Sequence, residues 1–170
     1  MTAAATGRLV VVTGVPGAGK STLARALAST LGYPMLSLDA IKEALPYAAA
    51  DRRRARHEAE TELIARLTAL RGRAVVDIWV APRRDTPRVS TWLAPWTDRL
   101  VEVRCVVPAD IAVDRYAGRD RPAPHLPPDQ ATLDRIRAAV ASPEPLGIGR
   151  YVEVDTSGPV DVGDLIALIT

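Results

Sequence analysis

Apolar residues gather in five short runs, at residues 9–13, 34–37, 74–80, 100–106 and 151–155, with polar, Gly- or Pro-bearing breaks between them. These runs are too short for helices, and they read as strands buried on both faces. Between them the spacing changes to that of helices. Leu23, Ala24, Leu27 and Leu31 share one helical face, as do Leu63, Ile64, Leu67 and Leu70. Helices are expected over 21–31, 39–45, 51–70, 109–116, 130–140 and 162–169, with Gly32 and Gly72 as C-terminal stops and Asp39 or Ser37 as an N-cap. Strand–helix alternation with short connections predicts an α/β fold, a parallel sheet with helices on both faces. The 170 residues form one expected domain, 1–170, large enough to bury roughly 70% of the surface of the unfolded chain. One segment breaks the pattern. Residues 118–129 hold four prolines with Arg119, Arg121 and His125 and few large apolar groups, so a surface excursion is expected there.

The first strand runs into Gly14-Val15-Pro16-Gly17-Ala18-Gly19-Lys20-Ser21, the GxxxxGKS phosphate-binding P-loop, and a helix follows at once. Glycines allow a tight curl, and the loop N–H groups and the helix N-terminus attract a polyphosphate. Gly14 to Thr22 are therefore the candidate nucleotide cradle. Lys20 would reach the β- and γ-phosphates and the Ser21 hydroxyl would ligate Mg²⁺. Arginine is strongly preferred over lysine in this chain, whose only lysines are Lys20 and Lys42. The loop position that needs a slim ammonium rather than a planar fork nevertheless carries Lys.

Composition narrows the field further. The chain is 48% hydrophobic and 25% charged with a net charge of +2, a globular balance without a basic tail, which disfavours long nucleic acids as partners. One cysteine, Cys105, lies in the fourth apolar run, so no internal disulfide framework forms, consistent with a cytoplasmic setting. No apolar run is long enough for a membrane span. A guanine-recognition motif of the Asn/Thr-Lys-x-Asp kind is absent, and the chain has no Asn at all, which points to ATP.

Three further features could carry chemistry. Asp39 stands just past the second strand, at the rim where open parallel sheets bind ligands. It could take a proton from an attacking hydroxyl or simply cap a helix. Asp77 closes Ala74-Val75-Val76, the Walker-B pattern for a metal-holding carboxylate. Arg115, Arg119 and Arg121 border or occupy the excursion, where guanidinium groups could offset charge on a transferring phosphoryl group. On the acceptor side, Trp79, Trp92 and Trp96 share one stretch with Arg83, Arg84 and Arg88. An acceptor pocket is expected between Asp39 and this stretch, with Trp79, Arg83 and His57 as candidate contacts. Arg52 to Arg54 and Arg56 precede Glu58, Glu60 and Glu62, a spacing that pairs them along the helix.

In this order the P-loop, Asp39, Asp77 and the Arg-rich loop resemble the P-loop small-molecule kinases, in particular the chloramphenicol phosphotransferase-like group and the shikimate- and gluconate-kinase-like group. The resemblance implies a P-loop NTPase three-layer sandwich with a five-stranded parallel sheet of order 2-3-1-4-5 and a lid at about 116–129. It implies ATP and Mg²⁺ as cofactors, Asp39 as general base, and Thr156, Ser157 and Gly158 near the adenine. The reaction it implies is transfer of the γ-phosphate to a hydroxyl of a small molecule. A nucleoside, nucleotide or polynucleotide end as acceptor, or a non-catalytic ATP-binding role, stay open as alternatives, and the oligomeric state is not legible.

Overall fold

The structure, a computed structural model, describes residues 7–119 and 126–170. Its organising element is β1 (Leu9–Thr13), all five residues of which are buried. On one side of β1 lie β3 (Ala74–Asp77) and β2 (Met35–Ser37); on the other lie β4 (Leu100–Val106) and β5 (Arg150–Asp155). Every pairing is parallel and the order is β2-β3-β1-β4-β5, as expected for the P-loop NTPase fold. The all-apolar run of β1 follows from this central place, because alternate residues serve opposite layers. Val10 and Val12 pack with α1 (Lys20–Leu31), α5 (Ala109–Ala117), α6 (Gln130–Ala141) and α7 (Val162–Ile169). Leu9 and Val11 pack with α3 (Arg52–Ala69), α4 (Thr86–Leu93), and Trp96 of the 3₁₀ helix Ala94–Arg99. Leu63 and Leu67 of α3 are fully buried, each stabilising the fold by about 1.5–3 kcal/mol.

The register sets the functional rim. Asp77 is paired with Val12 of β1 and with Ser37 of β2. The P-loop, α2 (Leu38–Glu43) and the segment after Asp77 therefore leave the sheet at one edge. β3 stops at Asp77, three residues short of the run read from the sequence. Past Ile78 the chain turns, with Asp85 N–H bonded to Ala81 O at 2.9 Å and Ala81 N–H to the Asp85 carboxylate at 3.1 Å. The turn leads into α4, a helix the sequence reading did not anticipate. Its signal was Asp85-Thr86-Pro87, with Pro in the first turn, and Val89 and Leu93 one helical turn apart. Gly72 shows why the end of α3 needs glycine: its φ is +73° and a Cβ would overlap the Trp96 ring.

The sheet also buries a carboxylate. Glu102 of β4 is 2% exposed and accepts hydrogen bonds from Thr13 Oγ1 (2.7 Å) and the Leu146 N–H (2.8 Å). Burial pushes its carboxyl above the ordinary value, although these two hydrogen bonds and the Arg104 charge oppose the shift. A raised carboxyl contributes most below the unfolded-state value and loses stability as pH rises through the folded one. Glu102→Gln removes that dependence. As pH rises above about 4, the melting temperature of the variant should therefore gain on that of the parent. An offset constant with pH would show that Glu102 does not titrate in this way.

Candidate active site

The P-loop carries α1 forward from a left-handed Gly19 (φ +85°), with no acid in the first helical turn to offset its positive end. Lys20 Nζ donates to Val15 O at 3.0 Å, curled back over its own loop. Ser21 Oγ donates to Asp77 Oδ2 at 2.6 Å, so the hydroxyl of α1 and the acid of β3 share one point of the rim. Gly17 (φ +86°) lies so close to α5 that a Cβ would overlap the main chain of Ala112. Val15 and Ala18 are buried, whereas Thr22 is exposed on α1. The loop is further tied to the last strand, since Thr156 Oγ1 donates to Ala18 O at 2.6 Å. Arg115 hydrogen-bonds the carbonyls of Thr156 (2.9 Å) and Ser157 (2.8 Å), locking α5 to the segment that continues into exposed Gly158.

A cavity of about 770 Å³ opens beside the loop, within the range of small-molecule sites. Pro16, Gly17, Gly19, Lys20, Ser21 and Asp77 line it together with Asp39, Lys42, His57, Trp79 and Arg119. Arg121 and His125, and the middle of the expected lid, lie outside the described residues. Asp39 is not the helix cap. Ser37 fills that place, its Oγ accepting from Ala40 N–H at 3.3 Å, and Asp39 sits one residue inside α2, paired with Lys42 at 2.8 Å. The three tryptophans divide. Trp96 is buried and Trp92 packs on the same core, while Trp79 lines the cavity with the Arg84 guanidinium 6.0 Å from its ring centre. Arg83 is not among the cavity-lining residues; it is exposed, has a φ of +59°, and its N–H is bonded to the Glu144 carboxylate. Its neighbours Arg84 and Arg88 do line the cavity.

A cluster of charge in the wall was only partly read from the sequence. Pairing along α3 holds, with Arg54–Glu58 at 2.8 Å and Arg56–Glu60 at 2.5 Å. Yet Arg56 also faces the buried Asp85 at 3.8 Å, and Arg88 bridges Glu60 and Asp85, the latter at 3.1 Å. Arg84 forms two hydrogen bonds to Asp85, at 3.1 and 3.0 Å. Burial works against the Asp85 charge, but the hydrogen bond from Arg84 and the charge of Arg56 outweigh it and hold the carboxyl below its usual range. Burial lowers the Arg56 pKa against the pull of Asp85 and Asp39. Arg56 Nη2 is shut off from solvent and meets no hydrogen-bond acceptor among the described residues, at a cost of about 1–3 kcal/mol.

This architecture agrees with its relatives. A family model described as AAA domain matches residues 9–143. The chain belongs to this AAA domain family. Across 96% of its length the chain is similar to a "putative kinase" from Chloroflexus aurantiacus j-10-fl, at 30% identity and a TM-score of 0.75, covering 97% of that chain. It shares its fold with a shikimate kinase from Acinetobacter baumannii solved in complex with shikimate (23% identity, 96% and 91% of the two chains, TM-score 0.68). The same holds for a gluconokinase from Sinorhizobium meliloti 1021 (22% identity, 95% and 88%, TM-score 0.61). No curated protein matched the chain. Among the described residues no helix is long and apolar enough to cross a membrane.

The contact of Gly17 with α5 yields a direct prediction. Gly17→Ala should weaken nucleotide binding at least about tenfold, since a Cβ here is strained by the backbone and has no space. Calorimetric titration with an ATP analogue checks this, and parental affinity would mean that the loop does not need this curl.

Proposed function

We propose that this AAA domain is an ATP- and Mg²⁺-dependent phosphotransferase acting on a hydroxyl of a small molecule. The observation that carries the reading is the convergence of Lys20, the Ser21–Asp77 pair and Asp39 on one cavity. The P-loop supplies the polyphosphate cradle. Ser21 and Asp77 offer hard oxygen donors 2.6 Å apart, the kind of set that holds Mg²⁺ when phosphate oxygens complete its shell. Bound there, the metal would neutralise charge on the phosphate oxygens.

The chain's own residues divide the remaining work. Lys20 leaves Val15 O to meet the phosphates, and Arg119 faces the same space from the start of the lid segment. Both place positive charge where the transferring group gathers negative charge. Asp39, oriented by Lys42, takes the proton of the acceptor hydroxyl. The acceptor oxygen bonds to the γ-phosphorus as the bond from that phosphorus to the β–γ bridging oxygen breaks, and ADP leaves. Arg115 acts through the backbone, holding Thr156 and Ser157 where the nucleotide base would lie. Arg121 is assigned with Arg119 to the lid, and the whole of 1–170 works as one kinase domain in the cytoplasm.

Removing the base should cost about 10²–10⁴ in rate. Asp39→Asn is expected to lower kcat by at least about a hundredfold while the KM for ATP stays within about threefold, and Lys20→Ala should abolish transfer. Steady-state kinetics with the acceptor found by screening would check both, and full activity in Asp39→Asn would remove it from the role of base.

A further inference from the structure

The cavity that holds Lys20 and Asp39 carries more positive charge than phosphoryl transfer uses. Arg56, Arg84 and Arg88 line it, and Arg52 and Arg53 border the same space. Among the described residues the ion pairs of the first three fall on two carboxylates, Asp85 and Glu60, both buried. Three guanidinium groups are thus ion-paired with two carboxylates; Asp39, whose charge also reaches Arg56, is itself paired with Lys42. Each guanidinium offers five N–H donors, of which the two acids take one or two from each arginine. Arg56 Nη2 makes no hydrogen bond among the described residues, standing 3.8 Å from Asp85 Oδ2. The buried acids therefore act as a frame, fixing arginine forks that would otherwise swing freely, and fixed forks are suited to a planar or tetrahedral oxyanion. Trp79, beneath Arg84, adds an apolar wall.

We infer that the acceptor carries an oxyanion, a carboxylate or a phosphate, held by Arg84 and Arg88 with Arg56 behind them, while its hydroxyl meets Asp39. The inference rests on the kinase reading above and names the substrate class of that site. A second cavity of about 940 Å³ also reaches Asp39, Ser21 and Asp77, and its wall mixes Glu43, Glu58 and Glu62 with Arg25 and Arg66. It lacks Lys20 and the loop glycines among its lining, whereas the arginine-lined cavity contains Lys20, Gly17 and Gly19 together with Asp39. The arginine-lined space is the one in which acceptor and γ-phosphate can meet.

The first measurement needs no turnover. Protein saturated with a non-hydrolysable ATP analogue, so that the P-loop is filled, is titrated calorimetrically with malonate and separately with inorganic phosphate. Saturable binding of at least one is expected, and the better ligand tells carboxylate from phosphate. The double variant Arg84→Ala/Arg88→Ala should weaken it at least tenfold. Their side chains are 62% and 46% exposed, so truncation spares the core. The lysine pair Arg84→Lys/Arg88→Lys serves as the folded control and should recover only part of the affinity. Absence of saturable binding, or equal binding in the alanine variant, overturns the inference.

The second measurement follows transfer from ATP to matched sets of hydroxy acids, phosphorylated polyols, neutral alcohols and amino alcohols. Transfer to anionic members, with an acceptor KM raised at least tenfold in the alanine variant and an unchanged KM for ATP, supports the inference. Transfer to neutral or cationic members with equal kcat/KM overturns it and leaves the kinase reading intact. Anion binding without transfer to any acceptor supports the subsite and counts against the kinase reading.

Discussion

The pairing of Asp77 between Val12 and Ser37 is the constraint from which the site follows. Parallel strands with a common register end at a common edge, and chain segments leaving that edge must share the space beyond it. The P-loop follows β1 by one residue, α2 begins directly after Ser37, and Asp77 itself stands at the edge. The hydrogen bond from Ser21 to Asp77 records the outcome in one distance, 2.6 Å between residues 56 positions apart. Burial of β1 by two helical layers makes the arrangement stiff, because a slip of one residue would turn Leu9 and Val11 into the layer that holds Val10 and Val12.

Electrostatics then divides the rim. The P-loop end is positive through Lys20 and the start of α1, the position proposed for the base is negative through Asp39, and the far wall carries the arginines that Asp85 and Glu60 hold in place. Buried carboxylates of this kind add little net stability, since desolvation offsets most of their attraction to arginine. Their service here is geometric. Asp85 receives N–H groups from Arg84, Arg88 and the backbone of Ala81, so one acid orders both the turn after β3 and the arginines it presents.

Much of this was readable in the chain itself. Apolar runs with helical stretches between them suffice for the sheet, because strand and helix periods differ and the P-loop is specific in spacing and context. Asp77 could be expected beside the P-loop because an acid closing an apolar parallel strand stands at the carboxyl edge of the sheet, where it meets Ser21. The losses have physical causes. β3 is shorter than its apolar run because Ala81 and Asp85 close a turn, a side-chain-to-backbone contact that periodicity does not report. α4 is brief and proline-led, so its two fully buried apolar residues, Val89 and Leu93, fell among polar ones. The arginine-lined wall of the cavity joins α3 to α4 from distant parts of the chain, and no local spacing announces that Arg56, Asp85 and Arg88 meet. Arg83 was expected at the cavity, but it sits in a backbone turn with positive φ and is absent from the lining, where Arg84 and Arg88 stand.

The account stands or falls on whether donor, metal and base face one another across a single space. The most direct measurement is a crystal structure with a non-hydrolysable ATP analogue and Mn²⁺ in place of Mg²⁺. The account predicts the ion on Ser21 Oγ, at about 2.0–2.2 Å as for small hard cations, next to Asp77, with the γ-phosphate open toward Asp39. A γ-phosphate turned away from Asp39, or an ion bound apart from Ser21 and Asp77, would contradict it.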